Sequence, residues 1–416
     1  MDIVVTGIGA ALPGCRDRLT LWNHLRDGES QLKLTPIQGI RDVHAMGRVD
    51  SVDAAEFDEV IQERFFVRYP WAMKLYLASV LRGLRDARLA TRDVAADRIG
   101  LFSGTSRDSF AFWQDRLQTA SDQESGSLGA RDLMLGTPGQ SASIAAALLK
   151  IEGPVSTFSS SCSSGAVAVG HAFREIAMGG VDVAVATGHD AALTRAIYQM
   201  YSNAQLLSEE RHDPRRALRP YGGDSRNVFG EGAITLVLER REHAERRGAP
   251  ILAAISGYAY GNNGQHPTDV DVSGDRPTRM IEGLLERAAV SPERVGVVVG
   301  HGNGVPASDT SERNYMRRVF KDRAREVPLV SVKPIYGHLL GASSALNVAA
   351  AVLMVHHGHV VPTLNAPPAT VSSLNHQSTD GKDADIEAAI AMSFGIGGHN
   401  TGVLVRRAAG QAPAAP

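Results

Sequence analysis

Two cysteines, Cys15 and Cys162, are all that this chain of 416 residues carries. So few exclude a disulfide framework and a cysteine-rich metal site, and they point to a reducing compartment. Long apolar runs are missing as well: nothing approaches the roughly 20 consecutive apolar residues that cross a bilayer. The opening Met1-Asp2-Ile3-Val4-Val5 has neither the basic segment nor the long apolar core of a secretory signal. These absences set the expectation of a cytoplasmic protein with no membrane partner. An excess of charge is also wanting, since the formal net charge is -2. Such a chain has no global field for gathering nucleic acid, and none is expected as a partner. The cluster Arg211, Arg215, Arg216 and Arg219 reads as solvated surface or as a local contact for an acidic partner.

With 43% hydrophobic residues the chain can bury a large core, and its length suits two structural units or one large duplicated domain. Short β-branched runs with glycine-rich exits recur at Ile3–Thr6, Ile99–Ser103, Val181–Thr187, Ile234–Glu239, Ile251–Gly257 and Val295–Gly300. Between them lie segments rich in Ala, Leu and Arg, such as Trp71–Ala90 and Thr278–Ala289, whose pattern predicts helices. The alternation predicts an α/β protein with largely buried sheets. Gly257–Gly274 is polar and rich in Asn, Asp and Gly, and reads as a loop between two halves. Residues 409–416 form an Ala/Pro/Gly/Gln stretch with nothing to pack, expected to be a disordered tail.

Residues 154–173, PVSTFSSSCSSGAVAVGHAF, turn from a β-type run into an Ala-rich helical run with Cys162 at the corner. A thiol there meets unpaired backbone N–H groups and the positive end of the helix dipole, which favour the thiolate. Small Ser and Gly neighbours leave room for a bulky acyl group. Two histidines stand where apolar strands end: His301 in VVVGHGNGVPASD (297–309), and His338 in SVKPIYGHLLGA (331–342). A cysteine with one histidine suits hydrolysis or acyl transfer, because a single base activates the nucleophile and protonates the leaving group. Two neutral imidazoles can instead donate hydrogen bonds to a thioester oxygen as an enolate develops there. Lys333, five residues before His338, is placed to tune the pair. A fourth segment, AMSFGIGGHN (391–400), is a glycine-rich loop whose backbone N–H can complete an oxyanion hole with that of Cys162.

Together these segments resemble the β-ketoacyl-ACP synthases, most of all the synthase II type of bacterial fatty-acid synthesis and its relatives in type II polyketide systems. The resemblance runs from VVTGIGA (4–10) through FGEGA (229–233) and EHAERRG (242–248) to Gly398. It implies an α/β, thiolase-like duplicated five-layer αβαβα fold, with residues 1–250 carrying the nucleophile and residues 251–408 the histidines and glycine loop. By position it makes Cys162 the acyl-accepting nucleophile and His301 and His338 the pair that promotes malonyl decarboxylation. Lys333 matches the active-site lysine, and Asp309 and Glu312 match supporting acids, with Glu312 expected to pair with Lys333. The N–H groups of Cys162 and Ile396 become the oxyanion hole, and Phe394 the aromatic of the gating loop. No cofactor or metal is implied, since phosphopantetheine arrives on an acidic acyl carrier protein. A homodimer, or a heterodimer with a related subunit, is implied.

This sequence departs from the pattern in several places. Asn303 and Val305 stand where relatives carry the threonines that meet the pantetheine amides, and Val305 has no hydroxyl. Ile396 replaces an aromatic gate and His399 a threonine. Gln205 stands where fatty-acid enzymes carry a basic carrier-docking residue, leaving Arg64 and Arg68 as candidates for that contact. The departures favour a specialised pathway over housekeeping elongation. The leading expectation is decarboxylative condensation. A non-elongating acyltransferase and a ketosynthase subunit dependent on a chain-length partner are the alternatives.

Overall fold

The computed structural model describes residues 2–37, 39–122, 128–223 and 225–410. Ten strands form one continuous sheet: β1 (Ile3–Ala11), β2 (Ile99–Gly104), β3 (Val155–Phe158), β4 (Val183–Asp190), β5 (Gly232–Arg240), β6 (Ala253–Asn262), β7 (Val295–Val299), β8 (Leu329–Val330), β9 (Ala388–Gly395) and β10 (His399–Arg406). Their order is β8-β7-β9-β10-β6-β1-β5-β4-β2-β3.

The order contains a repeat. In the first half β2 runs parallel to β3 and β4, β4 antiparallel to β5, and β5 antiparallel to β1. In the second half β7 runs parallel to β8 and β9, β9 antiparallel to β10, and β10 antiparallel to β6. The two sets meet only through Ile3–Val5 of β1 against Ala253–Ile255 of β6. One strand pattern used twice is the mark of a duplicated unit.

Helices fill the remaining layers. α1 (Trp71–Asp86) covers the first half from outside, packing on β1 and β5. α2 (Phe110–Asp122) and α3 (Gln140–Leu149) follow β2. α4 (Ser164–Ala177) and α7 (Ala342–His357) lie against each other and against strands of both halves. α5 (Asp275–Arg287) and α6 (Pro306–Phe320) belong to the second half, with α5 packed on β6 and β10. Every residue of α7 from Ala342 to Val355 is buried, which explains its sequence: a helix covered on all sides is largely apolar, and its polar members Ser343, Ser344 and Asn347 are each hydrogen-bonded. For the same reason β4 is buried at every position, as central strands of a two-faced sheet are.

One expectation needs correction. Gly257–Asn262 is not loop but the second half of β6, held antiparallel against β10 from Gly257↔Leu404 to Asn262↔His399. Strand pairing overrides the turn propensity of Gly and Asn there. At the far end, Ala408 is buried and Ala409 accepts from Arg241 Nη1 at 3.4 Å, so these residues are docked on the body. The remainder of the expected tail, 411–416, lies outside the described residues. Among the described residues, no helix is long and apolar enough to cross a membrane.

Candidate active site

The strand ends and helix starts of both halves converge on one cavity of about 660 Å³ with a largely apolar wall. Cys162, His301 and His338 line it, together with Asn303, Val305, Phe394 and Ile396. Seven of the residues singled out from sequence therefore share one space. Tyr201, Leu206, Val270 and Val272 add apolar wall that sequence reading did not identify.

Cys162 follows β3 and precedes α4 by two residues. Its neighbour Ser161 has φ +55, a left-handed turn that lifts the thiol out of the strand direction. The thiol is almost fully buried, with the Ser161 hydroxyl 3.7 Å from Sγ. Burial pushes the thiol pKa up, while the Ser161 hydroxyl and the charge of Lys333 pull it down. The helix terminus favours the thiolate, but burial acts against it. In so dry a setting desolvation of the anion prevails, and the resting group is a thiol.

The two imidazoles lie with ring centroids 5.5 Å apart, nearly perpendicular. His301 Nδ1 accepts the Phe394 backbone N–H at 3.4 Å. His338 Nδ1 accepts the Leu340 backbone N–H at 3.1 Å and lies 2.7 Å from the Ser343 hydroxyl. A backbone N–H can only donate, so each Nδ1 is the bare nitrogen and each neutral ring carries its proton on Nε2. Burial holds both histidines well below the usual imidazole range; the charge of Lys333 adds to this for each, and His338 adds to it for His301.

Beneath them sits a charged layer. Lys333 is buried, its ammonium donates to the His301 carbonyl, and burial brings its pKa down to about 8. The Glu312 carboxylate accepts the N–H groups of His301 at 2.7 Å and Gly302 at 2.6 Å, and the hydroxyls of Tyr315 at 3.1 Å and Tyr221 at 3.3 Å. The expected Lys333–Glu312 ion pair is therefore replaced by attraction at longer range, because each group is already bonded to the His301 backbone. Asp309, in the first turn of α6, accepts the Tyr221 N–H at 2.6 Å; burial and Glu312 push it up to about 7. Tyr221 and Tyr315 were missed from the sequence: Tyr221 is 91 residues from Glu312, but Tyr315 follows it by three on the same helix, a spacing that could have marked it as a partner.

The glycine loop joins β9 to β10. A Cβ on Gly395 would fall 2.5 Å from the Ser160 carbonyl oxygen, so glycine is what lets this loop press against the nucleophile turn. The backbone N–H groups of Cys162 and Ile396 donate to no backbone acceptor and remain available. Phe394 is buried with its ring centroid 5.6 Å from that of His301, whereas Ile396 is half exposed at the cavity mouth. Behind it, Tyr260 Oη lies 2.8 Å from His399 Nδ1, and Asn262 Nδ2 donates to the Gly397 carbonyl at 2.6 Å. Asn303 Oδ1 accepts the Val305 N–H at 3.0 Å, so Val305 presents only methyl groups to the cavity. Gln205, exposed at φ +54, lies between the lining residues Ala204 and Leu206; Arg64 and Arg68 do not line the cavity.

Known proteins with the same layout are numerous. The N-terminal domain model of β-ketoacyl synthases matches residues 1–244 and the C-terminal domain model residues 252–367. A 3-oxoacyl-(acyl-carrier-protein) synthase 2 of Synechocystis is 27% identical over 409 residues, covering 97% of this chain and 98% of that protein. A Streptomyces halstedii protein named as a polyketide β-ketoacyl synthase is 29% identical over 420 residues, covering 97% of each. Among solved structures, a chain from a type II polyketide synthase acyl-carrier protein in complex with its ketosynthase, bound to the hexaketide, superposes with a TM-score of 0.87. That match has 26% identity and covers 98% of this chain and 99% of the other. By its strand order, its convergent cysteine and histidines and these matches along its length, the chain belongs to the β-ketoacyl synthase family of condensing enzymes.

Proposed function

We propose that this β-ketoacyl synthase carries an acyl group on Cys162 and extends it with the carbanion released from a malonyl group on an acyl carrier protein. The Cys162 thiol attacks the thioester carbonyl of an acyl carrier; the new S–C bond forms as the pantetheine S–C bond breaks, and the pantetheine thiol leaves with the proton. In the second half-reaction the bond from the malonyl carbon to its carboxylate breaks and carbon dioxide departs. The electron pair left behind is held as an enolate, whose carbon then forms the new C–C bond to the Cys162 thioester carbonyl as the Cys162 S–C bond breaks, and the expelled thiolate takes up a proton from solvent to regenerate the thiol. His301 and His338 stabilise the enolate oxygen through Nε2–H. The N–H groups of Cys162 and Ile396 hold the oxyanion of the acyl adduct, and Phe394 gates the loop. Lys333 orients His301 through its carbonyl, with Asp309 and Glu312 supporting the same turn. Residues 1–250 and 251–408 are taken as the two units of the duplication.

The observation that carries this reading is the pair of backbone N–H groups aimed at the two Nδ1 atoms. Hydrolysis needs one base; two fixed N–H donors beside one thiol fit a reaction that must hold an enolate. No cofactor enters the scheme, since the phosphopantetheine is part of the carrier. A specialised, polyketide-like pathway fits the replaced residues Asn303, Val305, Ile396 and Gln205. The active assembly is a homodimer or a heterodimer with a related subunit. Intact-mass spectrometry with an acyl carrier, then a malonyl carrier, tests the proposal. It requires acylation at Cys162, carbon dioxide release and a β-ketoacyl product two carbons longer. Acylation with neither of the others would move the assignment to non-elongating acyl transfer, a reading favoured by the missing hydroxyl at Val305, or to a subunit awaiting its partner.

A further inference from the structure

Asp190 is the last residue of β4 and is wholly buried. Both oxygens are filled. Oδ1 accepts the Thr105 hydroxyl at 2.9 Å and the Arg107 N–H at 2.8 Å; Oδ2 accepts the Ser106 N–H at 2.9 Å and the Gly341 N–H at 2.6 Å. Three donors belong to the turn after β2, and the fourth belongs to the second half of the molecule, three residues beyond His338. A charged acceptor makes each such bond about twice as strong as a neutral one. Losing it would strand several buried donors at once.

What Asp190 grips across the halves is the peptide of Gly341. The preceding Leu340 has φ +49 and donates its N–H to His338 Nδ1. The Gly341 carbonyl accepts the Gly165 N–H at 3.0 Å, in the first turn of α4, three residues after Cys162. A Cβ on Gly341 would lie 2.7 Å from Asp190 Oδ2 and 2.7 Å from the Ser106 nitrogen, so only glycine can pass. The short backbone run Leu340–Gly341 thus carries a line of bonds from Asp190 to His338 on one side and to the nucleophile turn on the other.

We propose that Asp190 is a positioning residue for the condensation, fixing His338 relative to Cys162 by anchoring the Gly341 peptide to the Thr105–Arg107 turn. The proposal rests on the roles given above to Cys162 and His338. Asp190 touches no substrate. Its charge has a second consequence: it opposes the thiolate of Cys162, against the Ser161 hydroxyl, Lys333 and Arg107, which favour it.

The test uses the full-length enzyme in its native assembly, comparing Asp190→Asn and Gly341→Ala with wild type. Asp190→Asn sets an amide NH2 among N–H donors. Decarboxylation of malonyl carrier is expected to fall on the order of 100-fold in kcat, the loss that a misplacement of about 1 Å produces, with KM unchanged. The pH midpoint of Cys162 alkylation should move down, because a negative charge has gone. Gly341→Ala displaces the peptide but keeps the charge, so decarboxylation should fall while the alkylation midpoint stays. Acylation and decarboxylation falling together in Asp190→Asn, with an unmoved midpoint, would mean general damage and overturn the inference. Should Asp190→Asn not fold, Gly341→Ala decides alone, and decarboxylation at the wild-type rate overturns it. His338→Ala separates the two layers of argument. If that variant decarboxylates normally, the underlying assignment of His338 fails; if it is slow while both other variants match wild type, only the role of Asp190 fails.

Discussion

The Phe394 backbone N–H reaches Nδ1 of His301 across 3.4 Å, so the end of β9, just before the glycine loop, fixes which nitrogen of His301 carries the proton. Phe394 is itself paired with Asn400 of β10, so the tautomer of His301 is held by a strand rather than by the turn beyond it.

The first prediction concerns the state of both rings. Burial places the pKa of His301 and His338 well below the unperturbed value of about 6.5. Both should stay neutral, with the proton on Nε2, from pH 8 to below pH 6. Nitrogen NMR of ring-labelled protein should show one bare and one protonated nitrogen for each, unchanged over that window. An imidazolium signal growing in with a midpoint near 6.5 for either ring would contradict the buried, neutral pair.

Lys333 yields a prediction with opposite signs for function and stability. In the fold its pKa is about 8 against 10.5 in the unperturbed state. The unfolded chain therefore binds one more proton between those values, and wild-type stability should rise across that window by up to about 1.4 kcal/mol per pH unit from this group. Lys333→Met removes the cost of a buried ammonium. It should be more stable than wild type below pH 8, with the advantage fading toward pH 10.5. The same change removes the charge that favours the Cys162 thiolate, so the alkylation midpoint should move up in pH. Denaturant melts and an iodoacetamide pH series measure the two effects separately.

Much of this site was legible in the sequence, and what was not has a physical pattern. Cys162, His301, His338 and the glycine loop announce themselves because each sits at a strand end or helix start flanked by Gly or Ser, where bulk is excluded for a local reason. Strands such as β1, β2 and β7 were legible from β-branched runs, since a buried strand must be apolar along its length. Asp190 and Tyr221 were silent because their partners, Gly341 and Glu312, are distant in the chain, whereas Tyr315 stands one helical turn after Glu312, a spacing legible in the sequence but overlooked. The Lys333–Glu312 pair was expected from charge alone. Charge does not reveal that the His301 backbone lies between them and satisfies both. The end of β6 was misjudged for a related reason, as its Gly and Asn residues are held in strand by β10, which comes more than a hundred residues later.

Glu312 supplies a third prediction. Its carboxylate takes four donors without a cation in contact, so each donor matters to the anion. Tyr315→Phe removes one hydroxyl from a fully buried setting and should cost about 1.5–3 kcal/mol of stability, as hydrogen bonds to charged groups do. Decarboxylation should suffer more than acylation, since Glu312 holds the His301 turn and makes no contact with Cys162. Chemical denaturation together with the two partial reactions checks this; a variant with unchanged stability would show the hydroxyl contributes nothing to holding the carboxylate.

Val305 is the residue at which the site can be moved toward its relatives by a single atom exchange. It stands at the N-cap of α6, lines the cavity, and offers methyl groups where the family pattern has a threonine hydroxyl for the pantetheine amide. Val305→Thr is nearly isosteric, and at a partly exposed position the new hydroxyl keeps access to water when no substrate is bound. If the carrier arm follows the usual track, the added hydrogen bond should contribute about 0.5–1.5 kcal/mol, lowering KM for the carrier-bound thioester roughly 2- to 12-fold. The bond forms equally with ground state and transition state, so kcat should not move. Steady-state kinetics with the carrier substrate therefore discriminate between two tracks. A lower KM at constant kcat places the arm beside Val305. An unchanged KM means that the arm does not pass within hydrogen-bonding reach of Val305, and that the loss of the threonine reflects a displaced arm rather than a weakened contact.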